Sequence, residues 1–72
     1  GQGVERDPDQ AVLWYGKAAE QGDASAQFNM GVFCEMGFGM RKSVNKAKKW
    51  YRESAAQGNV KAIEALQRLG CL

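Results

Sequence analysis

Apolar positions in this chain recur at helical spacing. Taking Trp14 as the origin and advancing about 100° per residue, Ala18, Ala11, Tyr15 and Ala19 fall within about 140° of it, one continuous stripe on a helix. The second half repeats that stripe with Ala47, Trp50, Tyr51, Ser54 and Ala55. Ahead of the first stripe stands Asp7-Pro8-Asp9-Gln10. It offers an N-cap, a proline at the first helical position, an acid near the positive helix end and a capping-box glutamine. Both stripes run out at Gln-Gly, Gln21-Gly22 and Gln57-Gly58, where glycine closes a helix in the left-handed conformation, and Asp23 or Asn59 caps the next helix. A link of a residue or two makes consecutive helices antiparallel neighbours. The small residues Ala18, Ala19, Ala26, Ala55 and Ala62 let them approach closely.

The segment after the first turn, Ala24 to Met36, carries Ala26, Met30, Phe33 and Cys34 on one side and Phe28 and Val32 nearly opposite. A helix apolar on two faces needs a neighbour on each. Gly31 interrupts it at a cost of about 1 kcal/mol relative to alanine, so a close contact is expected there. Gly16 interrupts the first helix without a comparable argument, since its counterpart is Arg52.

These coincidences are those of a repeat with a period of 36 residues, the interval from Trp14 to Trp50. Gly1 and Gly3 align with Gly37 and Gly39. Ala11, Trp14 and Tyr15 align with Ala47, Trp50 and Tyr51; Ala19, Gln21, Gly22 and Ala26 align with Ala55, Gln57, Gly58 and Ala62. Such a period belongs to helix-hairpin repeats, where each unit exposes an apolar face that only the next can cover. The expected organisation is repeat 1 over 1–36, with helices at about 8–21 and 24–36, and repeat 2 over 37–72, with helices at about 44–57 and 60–69.

Composition narrows the picture without changing it. Seventy-two residues, 44% hydrophobic and 25% charged, make one small globular unit that buries only about 60% of its unfolded surface. No apolar run approaches the roughly 20 residues that span a bilayer, no secretory signal is present, and the compartment stays open. Cys34 and Cys71 match neither a zinc ribbon nor a thioredoxin-type pair and are read as thiols in packing roles.

The residues Gly1-x-Gly3-Val4, Asp7, Ala11, Trp14-Tyr15-x-Lys17-Ala18-Ala19-Glu20-Gln21-Gly22, then Ala26 and Met30-Gly31, resemble the Sel1-like repeat, a relative of the tetratricopeptide repeat. A looser copy runs from Gly37-x-Gly39-Met40 through Trp50-Tyr51 to Gln57-Gly58 and Ala62. The resemblance implies an all-α fold, an α-solenoid of antiparallel helix hairpins wound as a right-handed superhelix, serving as an adaptor or scaffold for protein–protein interaction. It also implies that the opening helix of repeat 1 is missing, that the last helix is a cap, and that Leu13 faces an absent neighbour. Departures occur at Cys34 and Gly70, where the family usually has tyrosine, and at Gln67, where it usually has glycine.

The same resemblance places Ser25, Phe28, Val32 and Glu35 on the concave surface, continued on the last helix by Lys61, Glu64 and Arg68. Together these would suit a peptide or helix with an apolar anchor and polar flanks. Packing within the superhelix is the competing use of Phe28 and Val32. An alternative reading draws on Arg41, Lys42, Lys46, Lys48, Lys49 and Arg52, a basic run suited to nucleic acid or an anionic surface, although the whole chain carries only +2. Self-association through the open repeat end is a further expectation. With no histidine, His-based acid–base catalysis and His metal ligation are excluded, and no catalytic, cofactor or metal residue is assigned.

Overall fold

The computed structural model describes residues 7–70; Gly1, Gly3 and Cys71 lie outside them. Four helices follow one another: α1 (Pro8–Glu20), α2 (Ala24–Met36), α3 (Val44–Ala56) and α4 (Val60–Arg68), with no strand among the described residues. Each packs against the next in sequence, α2 against α3 most extensively. The chain is an all-helical stack of hairpins.

Local chemistry sets the helix starts. The Asp7 carboxylate accepts from the Asp9 and Gln10 amides at 3.1 and 3.4 Å, and Asp23 accepts from Ala26 at 3.1 Å. Ser43 accepts from Lys46 at 3.3 Å and Asn59 from Lys61 at 3.0 Å. Each side chain satisfies an amide that the helix itself leaves unpaired. In the longer connection between α2 and α3, Gly39 has φ +68°, and a Cβ there would lie 2.5 Å from the Pro8 carbonyl oxygen. Only glycine lets this loop lie against the start of α1.

Two apolar clusters result. The larger joins Cys34, Ala47, Tyr51, Ala62, Ala65 and Leu66; the smaller joins Ala19, Ala26 and Met30. Trp50 and Met40 pack against both and so tie the two halves together. The contact expected at Gly31 is the Tyr51 ring: a Cβ at Gly31 would collide with it. Tyr51 is fully buried as a consequence.

The expected stripe is overturned at one residue. Trp14 is 62% exposed, whereas its counterpart Trp50 is partly buried. Trp50 packs against Ala19, Ala26 and Met30 of the half that precedes it, and no described residue supplies such cover to Trp14. Leu13, also exposed, lies beside Trp14 in the same surface hollow.

Polar groups brought inside are paired. Gln27, 5% exposed, donates to the Ala19 carbonyl at 3.1 Å and accepts from the Gln57 side chain at 3.0 Å. Ser54, fully buried, donates to the Ala24 carbonyl at 2.7 Å, and Gln57 donates to the Gly22 carbonyl at 2.8 Å. These bonds stitch the α1–α2 turn to the α3–α4 turn. They fix how one hairpin sits on the other, because leaving the buried Gln27 and Ser54 unpaired would cost about 1–3 kcal/mol each, while Gln57, the partner of Gln27, is itself exposed.

Candidate functional site

The α2 and α4 helices flank a groove of about 610 Å³ lined by Phe28, Val32, Glu35, Met36, Tyr51, Lys61, Glu64, Ala65 and Arg68. Six of the seven residues expected on the concave surface line it: Phe28, Val32 and Glu35 from α2, Lys61, Glu64 and Arg68 from α4. Ser25 does not. It lies in an adjoining hollow with Asn29, Gln57 and Asn59, at the turn end of the same helices, where Phe28 and Lys61 connect the two.

The groove has an apolar floor and a charged rim. Phe28 and Val32 are half-buried and pack against the larger cluster, the Phe28 ring lying 5.6 Å from that of Tyr51. Both therefore belong partly to the core. Met36, 70% exposed, extends the apolar row one helical turn beyond Val32.

At that end Arg68 grips Glu35 with two parallel hydrogen bonds of 2.7 and 2.9 Å. The Tyr51 hydroxyl donates to the same carboxylate at 2.8 Å. The Arg68 guanidinium, assisted by the Tyr51 hydroxyl and against the effect of burial, holds Glu35 down at about 2, well below the usual carboxylate range. Burial, together with the Glu35 charge, pushes the Tyr51 hydroxyl above its ordinary range. The carboxylate thus stays ionised, and the tyrosine protonated, throughout the neutral range.

Sequence reasoning placed Glu35 and Arg68 on one face without pairing them, and left Met36 and the Tyr51 hydroxyl out of the groove. Met36 had a signal, since Phe28, Val32 and Met36 form a row at four-residue spacing. The basic residues Arg41, Lys42, Lys46, Lys48, Lys49 and Arg52 do not line the groove; they lie on α3 and the loop before it, all exposed except the half-buried Lys48. Cys34 is a buried free thiol raised by burial, against the opposing charge of Lys46, and its sulfur lies 3.4 Å from that of Met40. Among the described residues no cluster of Asp, Glu, Cys or His is placed to hold a metal ion, and no helix is long and apolar enough to cross a membrane.

Antiparallel hairpins stacked at a fixed sequence interval, with a lined groove on one side, define a helical-repeat protein of the solenoid class. The Sel1 repeat family model matches residues 1–23 and 24–59, and the chain belongs to the Sel1 repeat family. It is 40% identical over 60 residues to the chitin synthase regulator SKT5 of Malassezia restricta, covering 83% of this chain and 4% of that protein. It is 38% identical over 63 residues to the DAP3-binding cell death enhancer 1 of Rattus norvegicus, covering 88% of this chain and 12% of that protein. Chitin synthase regulatory factor 3 of Schizosaccharomyces pombe is 39% identical over 59 residues, 82% of this chain and 6% of its own length. The chain thus spans only a small part of these relatives. No solved structure gives a significant match.

Proposed function

We propose that this chain is a non-catalytic adaptor module that holds a segment of a partner protein in the groove between α2 and α4. The observation that carries this reading is the groove's composition: an apolar floor of Phe28 and Val32, open at Met36, rimmed by Lys61, Glu64 and the Glu35–Arg68 pair. Apolar anchoring with polar flanks is how a groove selects a peptide or a helix. The family supports it, since Sel1 repeats generally mediate protein–protein interaction. The similar proteins are named as regulators and as a binder of another protein, which agrees with a role exercised through partners.

Comparative affinity capture tests it, with the double variant Phe28→Ala/Val32→Ala beside the exposed variant Met36→Asp. Specific partners should be lost from both, with circular dichroism unchanged for Met36→Asp. Retention of the same partners by Met36→Asp and by a folded double variant would rule the groove out. The second reading, an anionic ligand on the basic face of α3, is favoured by one observation: among the described residues none of those six cations is in a salt bridge. It requires a retardation of nucleic acid, or adsorption to anionic vesicles, that falls steeply with salt, and absence of both at low salt ends it.

A further inference from the structure

The groove between α2 and α4 carries four charged residues, and they are not equivalent. Glu35 and Arg68 close on each other at 2.7 Å, and the Tyr51 hydroxyl adds a further bond to the same carboxylate. Lys61 and Glu64, both exposed on α4, form no ion pair among the described residues. They stand about one helical turn apart, Lys61 nearer the turn before α4 and Glu64 nearer the Glu35–Arg68 pair. Facing them on α2, the half-buried Phe28 and Val32 form an apolar wall. Past Phe28 and Lys61 the groove continues into the hollow that holds Ser25, Asn29, Gln57 and Asn59. There the Ser25 hydroxyl and the half-buried Asn29 amide have no hydrogen-bond partner among the described residues.

On the footing that this groove is the partner site, we infer that its occupant is an extended segment carrying an acidic, an apolar and a basic residue in succession. Alternate side chains of an extended chain point to opposite sides, and those two residues apart on one side are about 7 Å from each other. Side chains three apart on a helix have their Cβ atoms about 5–6 Å apart, a spacing that long rim side chains match. Lys61 and Glu64 thus take the first and third residues of the segment as opposite charges, and the middle one turns across to Phe28 and Val32. The rim sets the order: acid at the turn end, base nearer the Glu35–Arg68 pair. An extended main chain also brings unpaired N–H and C=O groups, which a helix would have used internally. The Ser25 hydroxyl and the Asn29 amide, able between them to donate and to accept, meet that need beside the acid. Glu35 and Arg68 satisfy each other, so their end of the groove adds no charge to the specification.

The test pans the full chain against displayed random linear peptides, from which acid–apolar–base triplets should be enriched. Lys61→Glu puts an acid in the first turn of α4, where the helix accepts it, and should leave circular dichroism unchanged while turning the enriched triplet to base–apolar–base. Glu64→Lys should turn it to acid–apolar–acid. A synthetic peptide from the first selection should bind the Lys61→Glu chain about ten-fold more weakly than the parent, and lysine in place of its acid should restore the affinity. In the isotope-labelled chain, saturable shifts are expected at Phe28 and Val32. Peptides that shift Phe28 and Val32 but ignore both charge reversals, or whose acid and base recur three or four apart as on a helix, overturn the inference and leave the adaptor reading standing. An absence of enrichment, or binders that leave Phe28 and Val32 unshifted, also overturns the inference; the adaptor reading falls with it only if the Met36→Asp chain and a folded Phe28→Ala/Val32→Ala chain capture the same partners as their parent.

Discussion

The two copies of Ala-x-x-Trp-Tyr share their residues and differ in what surrounds them. In α3, Tyr51 is fully buried, and Trp50 bridges both apolar clusters. In α1, Tyr15 is half-buried, and Trp14 is mostly in solvent. A residue's energetic weight in a stacked architecture therefore belongs to the interface it fills, and identical side chains count for different amounts at successive positions. The α3 copy holds the stack together, while the α1 copy presents the same chemistry outward.

The tyrosines give the sharpest separation. Tyr51→Ala should cost about 3–5 kcal/mol, comparable with the whole stability of so small a chain, and leave it largely unfolded by circular dichroism. Tyr15→Ala should cost no more than about half as much, read as a lower urea midpoint at an unchanged slope. Equal losses would erase the distinction between the two copies.

The glycines should differ in sign. Gly31→Ala forces a methyl into the Tyr51 ring and should destabilise by about 1–3 kcal/mol despite the better helix propensity. Gly16→Ala places its methyl 3.8 Å from the Met30 side chain, an ordinary contact, and should raise the thermal midpoint through a gain of up to about 1 kcal/mol. Stabilisation by both would mean that α2 and α3 can separate without penalty.

The smallest effect concerns Glu35. Its folded-state value, about 2, lies below the ordinary carboxylate value. The pair's contribution is thus complete above that ordinary value and drains away as pH falls towards 2. Glu35→Gln should lower stability modestly at neutral pH and flatten its decline between about pH 4.5 and 2. The exposure of Arg68 keeps the effect small through solvent screening. An undiminished acid dependence would assign it to other carboxylates.

The all-helical hairpin fold was legible because it is written in local chemistry. Pro8 after Asp7, the Gln-Gly closures and the caps at Asp23 and Asn59 each act within a few residues, and the structure uses all of them. Gly31 announced its contact by being a poor helix residue. What escaped was pairing between helices. Periodicity assigned Glu35 and Arg68 to one face, but which side chains meet depends on how α2 and α4 sit across α3. Gln27 and Gln57 escaped for the same reason, their bond spanning two hairpins. Trp14 failed differently: an alignment of copies treats them as equivalent, and burial depends on what stands alongside.

The groove is latched differently at its two ends. Near the turns, Gln27, Ser54, Gln57 and Asn59 hold neighbouring helices with neutral amides and a hydroxyl. At the far end the clasp is ionic, Arg68 on Glu35. Acid or concentrated salt loosens charge and leaves amides alone, so a change of medium slackens one end while the other stays fastened. The two ends of the cleft therefore answer differently to the medium, only one of them through charge.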